Sequence, residues 1–152
     1  SVCNLAPESR GYVEIKSSNT SISPKIQPNY LSTHNDKIVA ANSIRVTRNI
    51  MSQPALAQFN PVEYKPGSNI ISDEDLAVAA GNICYTMFHP VGTCKMGNDN
   101  NSVVNDRLQV HGVKNLRIAD ASIMPVITRG NTNAPTMMIA EKAASFINEQ
   151  YK

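Results

Sequence analysis

His89 is the residue around which chemistry could gather. It lies in F-H-P-V-G-T-C-K-M-G, residues 88–97. Imidazole is the side chain whose proton affinity suits a base working near neutral pH. Cys84 and Cys94 stand five positions to either side of it, the spacing of the second half of a zinc knuckle. A structural zinc site takes four ligands, and position 81, which would complete the set, is glycine. Three candidate ligands make no such site, so no metal is expected. On spacing alone His89, between Phe88 and Pro90, reads as a structural, hydrogen-bonded histidine. His111, in V-H-G-V before a turn, and His34, at the start of a surface helix, also read as structural. The other chemical feature is a helix start in N-T-N-A-P-T, residues 131–136. Proline is tolerated in a first helical turn, and Asn133 is placed to cap that turn. A helix start offers free N–H groups and the positive end of the dipole, which together suit an anion. Asn131 reads as a turn residue and Met137 and Met138 as core filler.

These residues need elements to hold them. Residues 10–16 alternate with period two and read as a strand. Residues 24–31 form a second extended piece, which Pro24 and Pro28 confine to an edge or loose pairing. Thr33 caps a helix over residues 34–51 with Val39, Val46 and Ile50 on one face, and Pro54 stops it. Residues 55–59 read as one further turn. Ser72 and Asp75 form a capping box before a helix with Leu76, Ala79, Ala80, Ile83 and Met87 inward. The polar run 98–102 is a loop, and residues 103–113 are mostly turn. Leu116 and Ile118 carry a strand-like alternation into Asp120. From Thr136 the chain turns helical, with Met138, Ile139, Ala143 and Ile147 at helical spacing.

Composition narrows the classes. A chain of 152 residues can bury one core, and 41% hydrophobic residues without tryptophan is slightly low for a self-sufficient domain. A net charge of +2 with scattered basic residues gives no nucleic-acid footprint. No apolar run approaches the ~18 residues of a membrane span, and the first residues lack a signal layout. Three widely spaced cysteines favour reduced thiols. The expected location is the cytoplasm or the periphery of the inner membrane, with the periplasm left open.

Four ordered stretches resemble the glucose–methanol–choline (GMC) family of flavin oxidoreductases. N-L-A-P-E-S-R-G-Y-V-E-I and P-K-I-Q-P-N-Y-L are similar to two strands of its C-terminal module. F-H-P-V-G-T-C-K-M-G resembles its histidine motif. V-H-G-V-K-N-L-R-I-A-D-A-S, then D-A-S-I-M-P with G-N-T-N-A-P-T-M-M-I-A-E-K-A, resembles its return to the flavin domain. The resemblance covers nearly the whole chain, and N-T-N-A-P points to the choline and aliphatic-alcohol branch.

The resemblance implies an α+β fold. Residues 1–112 would be the C-terminal part of an antiparallel-sheet substrate-binding domain, and 113–152 the closing strand and helix of an FAD-binding domain. No G-x-G-x-x-G occurs among the seven glycines, so the ADP-binding segment would lie in an N-terminal part of the same enzyme. The piece alone is expected to bind FAD poorly and not to turn over. The implied reaction oxidises the CH–OH group of a small-molecule alcohol, with hydride passing to flavin N5. His89 would be the base and Asn133 would position the substrate oxygen. Asp120, Ala121, Asn133, Ala134, Pro135 and Thr136 would meet the cofactor. Preorganised donors at the helix start would stabilise the negative charge near flavin N1 and C2=O. The alternative readings are a flavin-containing lyase on the same scaffold and a non-catalytic binding module. The alcohol and the electron acceptor stay open.

Overall fold

The computed structural model describes residues 2–151. Those residues form four α-helices and one two-stranded antiparallel sheet, an α+β chain. They fall into two compact units, Ser1–Met87 and Phe88–Lys152.

In the first unit β1 (Tyr12–Glu14) pairs with β2 (Lys25–Gln27) in the register Tyr12↔Gln27, Val13↔Ile26, Glu14↔Lys25. Gly11 permits this pairing: a Cβ there would sit 2.1 Å from the Gln27 carbonyl oxygen. Helix α1 (His34–Met51) starts where the sequence predicts, with the Thr33 side chain accepting from the Asp36 N–H. Helix α2 (Pro54–Ala57) is one turn with Pro54 in its first positions. Helix α3 (Asp73–Ile83) begins at Ser72, whose hydroxyl accepts from the Asp75 N–H at 3.1 Å and donates to the Asp75 carboxylate at 2.8 Å. Helices α1 and α3 pack together, and Ala41, Leu76 and Ala80 are the apolar residues buried there. Full burial of Leu76 contributes about 1.5–3 kcal/mol. The chain between α2 and α3 is tied to α1 by Arg48, which donates to both Glu63 oxygens and to the Gly67 and Ile70 carbonyls.

Two expectations in this unit are corrected. Val46 and Ile50 stay half exposed, and the buried residues of α1 are Asp36 and Ala41. Asp36 is buried because its carboxylate receives Asn4 Nδ2, the Glu8 and Ser9 N–H groups and the Ser9 hydroxyl. Burial alone would raise its pKa; the bonds from Ser9 and Glu8 hold it below the usual carboxylate value. Met87 lies beyond the end of α3 and is half exposed, since Cys84 turns the backbone extended.

In the second unit helix α4 (Asn133–Gln150) covers a core of Val104, Leu108, Ile123, Met124, Ile139 and Ala143. Residues 96–117 cross that core in turns joined by the bridges Met96↔Val104, Val104↔Val110 and Gln109↔Arg117. The expected alternation at Leu116 and Ile118 forms no full strand. The Leu116 carbonyl and the Ile118 N–H pair with Val110 and Leu108, one bridge on one side only. Ile139 and Ala143 face inward as predicted, whereas Met138 and Ile147 are exposed. Arg107 clasps the end of α4 from above the Phe146 ring at 4.5 Å, with its guanidinium 2.7 Å from Glu149.

Candidate active site

The histidine segment runs from the left-handed Phe88 (φ 58°) through half-buried His89 to Met96. A bulky residue held in that region costs on the order of 1 kcal/mol, and the fold around it must supply that. Gly92 (φ 88°) is required: a Cβ there would press on the Met124 carbonyl oxygen at 3.3 Å. The Cys94 and Met96 N–H groups donate to the Ser122 and Ile123 carbonyls at 3.0 and 2.8 Å. Beyond Met96 the chain closes on itself. Lys95 bonds Asp99 at 2.9 Å, and Asp99 also accepts from the Asn101 N–H and the Ser102 hydroxyl. The Lys95 ammonium first, then these two donors, lower the Asp99 pKa to about 2.

The carbonyls that receive this segment belong to a 3-10 turn, Ala121–Ile123. Its cap is Asp120, in extended conformation, whose Oδ1 accepts from the Ser122 N–H at 2.8 Å. Ile123 and Met124 then enter the core beside Ile139 and Ala143 of α4.

The start of α4 differs from the expected one. The helix begins at Asn133, three residues before Thr136, and Asn133 is its first helical residue rather than its cap. The cap position belongs to Thr132, which has helical dihedrals (φ −89°, ψ −6°) and makes no side-chain cap bond. A capping side chain needs an extended backbone beneath it, which Thr132 lacks. Its carbonyl accepts both the Thr136 N–H and the Thr136 hydroxyl. Pro135 has no N–H, so the donors left at this helix start are those of Asn133 and Ala134. In the loop before it the left-handed residue is Arg129 (φ 57°), not Asn131.

All the sequence-predicted site residues thus lie in one compact unit, and its core ties the histidine segment, the Asp120–Ala121 corner and α4 together. Among the described residues neither the His89 ring nor the Asn133 amide makes a hydrogen bond. The ring of His111, by contrast, donates through Nε2 to the Gly97 carbonyl at 3.0 Å, since a carbonyl can only accept. That bond gives His111 the protein partner that a structural reading of it expects. An open groove of about 650 Å³, lined by Val110, Leu116, Arg117, Ile147 and Tyr151 among others, lies at the far end of α4 and holds none of the predicted site residues. The sequence reading missed the roles of Gly92 and of the Asp120 cap, although D-A-S carries an Asx-turn signal. Among the described residues no cluster of His, Cys, Asp or Glu is placed to hold a metal, and Cys3, Cys84 and Cys94 are free thiols.

The fold is similar to that of solved FAD-dependent enzymes. An FAD-dependent oxidoreductase from Chaetomium thermophilum matches with a TM-score of 0.90 at 30% identity, over 96% of this chain and 26% of that one. The family model described as GMC oxidoreductase matches residues 7–140, and the chain belongs to that family. Curated relatives include an alcohol dehydrogenase [acceptor] of Pseudomonas putida, 45% identical over 96% of this chain and 26% of its own length. An oxygen-dependent choline dehydrogenase of Escherichia coli O139:H28 is 47% identical over 98% of this chain and 27% of its own length. The chain therefore spans about a quarter of the length of the relatives it matches. No helix among the described residues is long and apolar enough to cross a membrane.

Proposed function

We propose that this chain is the C-terminal module of a longer FAD-dependent enzyme that oxidises the CH–OH group of an alcohol. Residues 1–112 belong to its substrate-binding domain and 113–152 close its FAD domain. His89 takes the hydroxyl proton, and the Asn133 amide holds the same oxygen so that the carbinol C–H points at the cofactor. The main chain at Asp120 and Ala121 and the start of α4, Asn133 to Thr136, line the cofactor side. FAD, when bound, supplies the hydride acceptor at N5. The residues present fit it, because the Asn133 and Ala134 N–H groups at an uncapped, positive helix end are the donors an electron-rich flavin edge needs.

The observation that carries this reading is the family match together with the setting of His89 and Asn133. One unit holds both, and neither side chain is committed to a protein partner. The names of the relatives point to choline or another alcohol as substrate, and the resemblance of N-T-N-A-P favours choline or an aliphatic alcohol among these. An N-terminal part of the same enzyme would complete the FAD site and cover exposed apolar residues such as Met137, Met138 and Ile147. The test is to add choline or 1-butanol anaerobically to the full-length, FAD-loaded protein. Bleaching of the oxidised flavin is the expected result. A bound flavin that neither alcohol bleaches overturns the proposal.

A further inference from the structure

We infer that the Asp120 carboxylate is a positioning group, which sets the place of the His89 segment against α4 by capping the turn Ala121–Ile123. The inference rests on His89 being the base, as proposed above. The turn is the joint between the two elements that carry the reacting groups. Its Ser122 and Ile123 carbonyls fix Cys94 and Met96, and the Met124 carbonyl abuts Gly92. Its Ile123 and Met124 side chains are buried with Ile139 and Ala143 of α4. The joint's own backbone bonds are weak. Ile123 N–H to the Asp120 carbonyl is 3.3 Å and Met124 N–H to the Ala121 carbonyl is 3.2 Å, at the long end for such bonds. The Asp120 Oδ1 bond to the Ser122 N–H, at 2.8 Å, is the short one. It is the best-formed bond of the turn, so the placement of that oxygen, rather than its charge, sets the local geometry. A loosened turn moves the carbonyls that hold residues 94 and 96, and the His89 segment shifts with them.

Two conservative variants separate the cap from the charge. Asp120→Asn keeps an oxygen at the capping distance and loses the charge. Asp120→Glu keeps the charge and carries it one methylene too far. In the full-length, FAD-loaded protein with saturating choline or 1-butanol, Asp120→Glu should reduce its flavin about tenfold more slowly than Asp120→Asn, since small misplacements of reacting groups have effects of that order or larger. The half-saturating alcohol concentration should move little in either. Hydrogen exchange in peptides covering residues 94–96 should quicken in Asp120→Glu and not in Asp120→Asn, a readout independent of turnover. The reverse order of rates, or exchange and rates alike in both variants, overturns the inference. If His89→Ala reduces flavin as fast as wild type, it is the base assignment that fails, and the exchange result still decides the cap.

Discussion

Helices α3 and α4 both follow a hydroxyl residue, and the two starts are finished differently. At α3 the backbone of Ser72 is extended, its hydroxyl meets the Asp75 N–H, and Asp73, Glu74 and Asp75 lie in the first turn. The helix is closed by its own sequence, which is what stability asks for. At α4 the backbone of Thr132 is already helical, no cap bond forms, no acidic residue lies in the first turn, and Pro135 removes one donor. The positive end is left open beside Asn133. The two histidines of the same unit repeat the contrast: His111 is spent on the Gly97 carbonyl, and His89 is not. Complete local bonding marks the residues that hold this protein together, and incomplete bonding coincides with the residues the family resemblance assigns to chemistry.

Variants can break that contrast, the largest effect coming from the histidines. In the full-length protein His89→Ala should slow anaerobic flavin reduction by about 10²–10⁴-fold with FAD retained. His111→Ala should leave that rate near wild type and lower stability by about 0.5–1.5 kcal/mol, the worth of one hydrogen bond. Equal rate losses in the two variants would erase the distinction. Asn133→Asp comes next. A carboxylate in a first helical turn favours the helix by about 0.3–1 kcal/mol, so the melting temperature should hold or rise. Flavin reduction should nevertheless fall by about 10²–10³-fold, because an amide donor becomes an acceptor where negative charge develops. Asn133→His should be milder, since an imidazole N–H can still donate to the same oxygen.

The helix starts predict smaller changes. Ser72→Ala should lower the unfolding free energy by about 1 kcal/mol. Thr132→Val, removing a hydroxyl that caps nothing, should stay within about 0.5 kcal/mol of wild type. Urea unfolding of both variants measures the difference, and equal losses would mean that Thr132 is a cap after all. The smallest effect is acid-specific. Asp99 is depressed from 3.8 to about 2 in the folded chain. Its contribution is fully present above 3.8 and is lost as pH falls through about 2. Asp99→Asn should flatten stability across that window and leave it unchanged in shape at neutral pH, as followed by unfolding midpoints along an acid titration.

Much of this was legible in the sequence because it is local. Thr33, Ser72 with Asp75, and Pro54 announced their helix ends, since cap and donor lie within one turn of chain. The histidine segment and the 130–143 run were legible as motifs. Contacts over long separations were not. Asp36 is buried by residues 27–32 positions earlier in the chain, so no apolar periodicity could reveal it. Thr132 misled because Asn133 has the chemistry of a cap, while the backbone angle that decides capping depends on the loop before it. The alternation at Leu116 and Ile118 records a segment that could be a strand, and in these units it meets one bridge only.

The central claim is that His89 and Asn133 serve one alcohol oxygen from a shared core. A double-mutant cycle tests it most directly. Flavin reduction by choline or 1-butanol would be timed anaerobically in the full-length protein, in His89→Ala, in Asn133→Ala and in the double variant. Groups that act on the same oxygen lose most of their combined effect when the first is removed, so the double variant should be faster than the product of the single losses predicts. The coupling expected is on the order of 0.5–3 kcal/mol. Two losses that simply multiply would mean that His89 and Asn133 act independently, and would contradict the account.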